Sequence, residues 1–147
     1  MRTTLGRGSR RGAVLLVLGA LFLLPGSALA AKPKPGHYSG TTEQGSPIGF
    51  EVQKKGKKKR KARNLDYTVE APCESGSAVD AGGLIPFSDK ISKKGKFSLG
   101  VFLDFTVEVE GKFTSKTRAR GTLRYTVLTG LHGYCDSGAV SWQVQRD

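Results

Sequence analysis

The stretch PIGFEVQKKGKKKRKARNLDYTVEA (Pro47 to Ala71) decides how the chain reads. Its first part alternates, with Ile48, Phe50 and Val52 on one phase and Gly49, Glu51 and Gln53 on the other. Its last part does the same, with Leu65, Tyr67 and Val69 set against Asp66, Thr68 and Glu70. Successive side chains of a strand point to opposite faces, so each part predicts a half-buried strand. Between them lie Lys54, Lys55, Lys57, Lys58, Lys59, Arg60, Lys61 and Arg63, eight cations in ten residues with no acid. A turn over Lys54 to Lys57, with Gly56 supplying a positive φ, joins the strands into a hairpin. Lys58 to Arg63 then open the returning strand as a charged extension. It is expected to project into water and to discourage edge-to-edge pairing.

The same period recurs along the chain. Phe97 to Phe113 alternates for too long to be one strand and is expected to fold back around Gly100 to Asp104. ARGTLRYTVL sets Gly121, Leu123, Tyr125 and Val127 on one phase, and AVSWQV does so with Val140, Trp142 and Val144. No segment holds a helical period, and Gly is abundant at 20 residues. The expected fold is all-β: a single antiparallel sandwich or barrel of about seven to nine strands. Tyr67, Tyr125 and Trp142 are read as core aromatics, with Trp142 beneath a disulfide.

An internal repeat supports this. Glu51-Val52, Lys61-Ala62-Arg63, Leu65, Tyr67-Thr68-Val69 and Cys73-Glu74-Ser75-Gly76 recur, in order, as Glu108-Val109, Arg118-Ala119-Arg120, Leu123, Tyr125-Thr126-Val127 and Cys135-Asp136-Ser137-Gly138. The offsets are 57, 58 and finally 62 residues, the last step being an insertion before the second cysteine. A duplicated hairpin unit accounts for the pattern. GKFS at Gly95 and GKFT at Gly111 repeat at shorter range and read as strand starts.

Residues 1–30 read as a cleavable export signal rather than fold. Arg2, Arg7, Arg10 and Arg11 precede an apolar run from Ala13 to Leu24, and Ala28 and Ala30 stand in an A-x-A frame. The run is shorter than the ~20 apolar residues a membrane span needs, so no transmembrane segment is expected after cleavage. Sec and Tat export both remain open at this point. Residues 31–36 (AKPKPG) read as an extended tether with no apolar anchor, and residues 37–147 as the β-domain.

Without the four leader arginines, 20 basic residues face 12 acidic ones, a net charge of +8. The Lys54 to Arg63 run carries all of that excess, and everything else balances at 12 against 12. The charge is therefore expected to be a local property of one hairpin on an otherwise neutral domain. Cys73 and Cys135, an even count in an oxidising compartment, are expected to form one disulfide.

Motifs for catalysis are thin. CDSGA, with His132 nearby, lacks the glycines that frame a trypsin-like serine, and its twin CESG marks both as turn motifs. Two histidines with two bridged cysteines offer no metal-ligand spacing and no cofactor site. Asp104, Glu70, Glu108 and Glu110 are the acids from which a hydrolytic pair would be drawn, but Glu108 and Glu110 share an outward strand face. No aromatics interleave with the lysines to stack on bases.

The chain resembles small secreted β-proteins of unknown function from actinobacteria. The resemblance rests on YSGTTEQGSPIGFEV (Tyr38 to Val52), the GKF segments, GTLR (Gly121 to Arg124) and CDSGAVSWQV (Cys135 to Val144). It implies a Gram-positive exported domain with one disulfide and carries over no catalytic or binding residue. The lysine run departs from that pattern.

The expected function is a non-enzymatic module, secreted or wall-associated. Its basic hairpin would contact an anionic polymer such as cell wall, polyphosphate or extracellular DNA. The alternatives are a protein-interaction or inhibitor domain whose lysines only solubilise, and an unrecognised hydrolase.

Overall fold

The computed structural model describes residues 32–56 and 59–147; the leader assigned to residues 1–30 lies outside the described residues, as do Lys57 and Lys58. Nine strands form: β1 (Gly36–Thr42), β2 (Pro47–Lys55), β3 (Lys59–Pro72), β4 (Ala78–Lys90), β5 (Lys96–Phe102), β6 (Phe105–Phe113), β7 (Arg118–Thr129), β8 (Gly133–Asp136) and β9 (Val140–Arg146). All pairings are antiparallel, and the described residues contain no helix.

The sheet runs β4-β3-β2-β1-β9-β7-β6-β5. Its two outer strands approach each other where the Ser98 amide donates to the Asp89 carboxylate at 2.9 Å. The sheet thus curls into a nearly closed barrel, the arrangement that removes most of the exposed edge. The order is two consecutive four-stranded meanders, β4-β3-β2-β1 and β9-β7-β6-β5. The repeat seen in the sequence falls on corresponding strands of them, Glu51-Val52 in β2 against Glu108-Val109 in β6, and Arg63 in β3 against Arg120 in β7. The register is shifted: Glu51 faces Arg63, but Glu108 faces Arg124. The correspondence extends beyond one hairpin.

β8 shares the edge of β7 with β9, lying along Thr126 to Thr129 while β9 lies along Arg118 to Leu123. On its other side it meets the end of β3, where the Glu74 amide donates to the Tyr134 carbonyl at 3.0 Å. There Cys73 and Cys135 face each other and form the expected disulfide, across a sequence separation of 62. The two turn motifs match as well. Gly76 and Gly138 both take positive φ, at 81° and 65°. Asp136 additionally accepts the Gly138 amide at 2.8 Å, as a turn-forming Asp does.

The inward phase is the apolar phase read from the sequence, and Ile48, Phe50, Val52, Leu65, Tyr67 and Val69 are all buried. The centre is aromatic: Phe50 lies 5.6 Å from Tyr38, 5.1 Å from Phe97 and 6.0 Å from Trp142, centroid to centroid. Trp142 is a core residue, but its ring neighbours are Phe50 and Phe97, and the cross-strand partner of Cys135 is Val127. Two glycines make room for these rings. A Cβ at Gly111 would stand 2.3 Å from the Phe97 ring, and one at Gly121 1.8 Å from the Glu110 carbonyl and 2.6 Å from the Trp142 ring. Glycine is the only residue that admits such an approach.

Four sequence expectations need correction. The Pro/Lys tether is anchored: Pro33 is buried, the Lys34 amide donates to the Lys116 carbonyl, and Arg60 and Arg146 donate to the carbonyls of Pro33 and Pro35. A prolyl residue loses its donor but keeps its acceptor, so the segment docks through carbonyls as well as the buried Pro33 ring. The second GKF closes β6 instead of opening a strand. β4 was not legible because Gly82, Gly83 and Pro86 interrupt its period; Pro86 is tolerated since β4 is an edge of the sheet. Lastly, the basic segment is not a free extension. Lys61 and Arg63 pair with β2 on one side and with β4 on the other.

Candidate polyanion interface

The barrel has two unlike ends. At one, the β2–β3, β4–β5 and β6–β7 connections meet the start of β1 and the end of β9; at the other sit the disulfide and the remaining connections. Because the strands alternate in direction, a residue's place along its strand fixes which end it adjoins.

The basic run lies at the first end. Gly56 has the expected positive φ of 67°, and the pairs Lys54–Arg60 and Lys55–Lys59 close the hairpin. Its cations then divide. Lys54, Lys55 and Lys59 are exposed, and their ammonium groups make no hydrogen bond or ion pair among the described residues. The others are engaged: Arg60 with Pro33 at 3.3 Å, Lys61 with the Ser88 hydroxyl at 3.1 Å, and Arg63 with the Gln53 amide oxygen at 2.8 Å. The proposed contact set is therefore a free tip on a tied base.

The rest of the domain is not neutral in the sense the sequence implied. Among the described residues, every Lys and Arg except Arg124 lies at the hairpin end. Lys32 and Lys34 precede β1, Lys90 ends β4, and Lys93 and Lys94 sit in the following turn. Lys96 opens β5, Lys112 and Lys116 end β6 and its turn, Arg118 and Arg120 open β7, and Arg146 ends β9. The acids go the other way. Glu43, Glu70, Glu74, Asp80, Asp104, Glu108 and Asp136 occupy the disulfide half, whereas Asp89, Glu110, Asp147 and Glu51, which pairs with Arg63, are the acids toward the basic end, with Asp66 at mid-strand. Balanced counts conceal a charge separation along the barrel axis.

Several of these groups are fixed by local bonds. Arg124, the cation of the acidic half, forms a two-pronged contact with Asp136 at 3.0 and 2.5 Å, and this hydrogen bonding holds the Asp136 carboxyl below its ordinary range. Hydrogen bonds from Ser39 and His37 likewise lower Asp147 and pin the C-terminus beside β1. The Tyr38 hydroxyl, 2.7 Å from the Lys34 carbonyl and 3.0 Å from that of Lys116, ties the N-terminal segment under the barrel.

The residues weighed for catalysis have structural partners. Ser137 accepts the Tyr125 amide at 2.8 Å and lies 2.9 Å from the Gly138 carbonyl, as a turn residue. His132 faces Ser77 at 3.0 Å, a contact that no sequence spacing announced. Glu108 and Glu110 are exposed on the outer face, as their alternation predicted. Among the described residues no three His, Cys, Asp or Glu come together as metal ligands.

No protein-family model matches the chain, and no curated protein or solved structure is significantly similar to it.

Proposed function

We propose that the protein is an exported, non-enzymatic binding module whose basic end contacts an anionic polymer of the cell surface or its surroundings. The observation that carries this reading is the charge separation: free lysines at the hairpin tip are joined at one end of the barrel by every other described cation except Arg124. A cationic surface of this extent attracts polyanions and binds them with release of counterions, giving affinity that falls steeply with salt. Export belongs to the same reading, through the arginine-led apolar leader and the resemblance to secreted proteins, and the disulfide is compatible with it.

The test uses the K54S/K55S/K59S variant, which removes the described tip cations whose side chains have no partner. Native and variant are titrated with polyphosphate, double-stranded DNA and purified cell wall across a salt series. The salt slope of the variant on DNA is expected to fall by about 0.9 for each lost contact. Equal slopes and affinities for the two proteins would exclude the tip as a contact.

One observation favours the protein-interaction alternative. Phe102, Leu103, Leu128 and Leu131 are 70–89% exposed at the disulfide end, where Tyr134 also faces solvent. Apolar groups gathered this way mark interaction surfaces in many soluble proteins. Truncating Leu128 and Leu131 to Ser without loss of any partner captured by the native protein would remove this reading.

A further inference from the structure

We propose that the outer face of β5, β6 and β7 is a subsite for an anionic carbohydrate chain, centred on Lys96, Lys112 and Arg120. This rests on the polyanion reading above and names its ligand class. Register places Lys96 opposite Lys112 and Lys112 opposite Arg120. Three cations thus stand side by side on adjacent strands, over a span of about 10 Å from the spacing of neighbouring strands. Like charges directly opposite oppose sheet formation. None of the three side chains makes a hydrogen bond or ion pair among the described residues. A sheet that stabilised only itself would place an acid in this row.

The row borders a groove. Two shallow depressions of about 570 and 520 Å³ share Lys112, Arg120, Gly121 and Thr122, and together run across the strands from β5 to β1. Two nearby acids are held by backbone amides and form no ion pair with the row: Asp89 accepts the amides of Lys90 and Ser98, and Glu43 accepts that of Ser141. One step toward the disulfide end, a second row reads Ser98–Glu110–Thr122–Ser141.

The two rows ask for different chemistry, about 7 Å apart at two residues of rise. The first takes sulfate, phosphate or carboxylate. The second offers hydroxyls and one carboxylate, which accepts from a ligand hydroxyl and repels a second anion. A chain charged at every unit meets that repulsion, whereas a sugar chain with spaced anionic groups meets partners in both rows. Phe97 and Trp142, the aromatics of the lining, are buried, so no platform exists for stacking bases.

The experiment compares a short sulfated dextran oligosaccharide with linear polyphosphate of equal charge, by titration at low salt. Native protein is expected to prefer the sulfated sugar by about fivefold, and K112S/R120S to lose about tenfold on it together with the preference. Lys96→Ser, a single exposed change, is expected to lose about threefold. E110Q should narrow the preference by improving polyphosphate binding. The tip variant K54S/K55S/K59S should weaken both ligands alike and keep the preference. Because K112S/R120S removes opposed like charges, its thermal midpoint should not fall, which separates lost binding from lost fold. Binding of the sulfated sugar by K112S/R120S within about twofold of native, or no native preference, overturns the subsite and leaves the broader reading standing. Native protein that binds neither ligand at low salt overturns both.

Discussion

The β2–β3 and β6–β7 hairpins are repeat-equivalent, lie at the same end of the barrel and are both basic, yet they come by their charge differently. In β2–β3 the cations follow one another along the chain, so neighbours in sequence share a tip. In β6–β7 they are spread over Lys112, Lys116, Arg118 and Arg120, and Lys96 joins from another strand. The first concentration is covalent, and the second is made by register. Internal structure differs too. β3 takes a bulge at Asn64, whose φ of 54° is the single positive value outside glycine among the described residues. β7 runs straight through Gly121, pressed between the Glu110 carbonyl and the Trp142 ring.

The disulfide joins corresponding points of the two halves, and its loss should have the largest effect. Replacing Cys73 and Cys135 by Ser is expected to cost about 4 kcal/mol on the chain-entropy estimate for a loop this long, read from urea unfolding. A cost below about 1 kcal/mol would mean that the halves hold together without it.

Next come the bulge and the straight crossing. Gly121→Ala drives a methyl into backbone and should cost about 3 kcal/mol, whereas Asn64→Ala strains only one left-handed residue and should cost about 1 kcal/mol. Asn64→Gly should be tolerated. Equal costs at the two positions would show that the close approach at Gly121 is no tighter a constraint than the bulge.

A smaller difference separates the equivalent tyrosines. Burial, with Tyr125 nearby, pushes the Tyr67 phenol up to about 12, while burial alone raises Tyr125. An acid whose folded pKa is raised loses stability as pH climbs from its unfolded value toward the folded one, because the unfolded state ionises first. The tyrosine contribution should therefore be level from neutral pH to about pH 10 and stability fall by up to about 2 kcal/mol by pH 12, less in a Tyr67→Phe variant. Absorbance titration of the phenolates alongside alkaline unfolding checks this. A Phe variant with an unchanged alkaline limb would assign the loss to other groups.

Much of the fold was legible because strand alternation is local. Ile48, Phe50 and Val52, or Leu123, Tyr125 and Val127, carry their facing in the order of the residues. β1 and β4 carry less of it. β1 has a Tyr, a half-buried Gly and a Thr on its inward phase, and β4 is broken by two glycines and a proline. The basic tip was visible as a run. The row of Lys96, Lys112 and Arg120 was not, although its signal was present: the two GKF segments face each other antiparallel, which sets Lys96 against Lys112.

By itself the sequence determined an all-β chain, the phase of its core, a basic hairpin turning at Gly56 and the pairing of its only two cysteines. These follow from neighbours in the chain and from counting. Tertiary structure alone decided that two meanders close on each other, that the prolines anchor rather than tether, and that a chain with balanced charges outside one run is divided into a basic end and an acidic end. Register and strand direction are set by the packing of the whole barrel, so a residue's cross-strand neighbours are not written beside it.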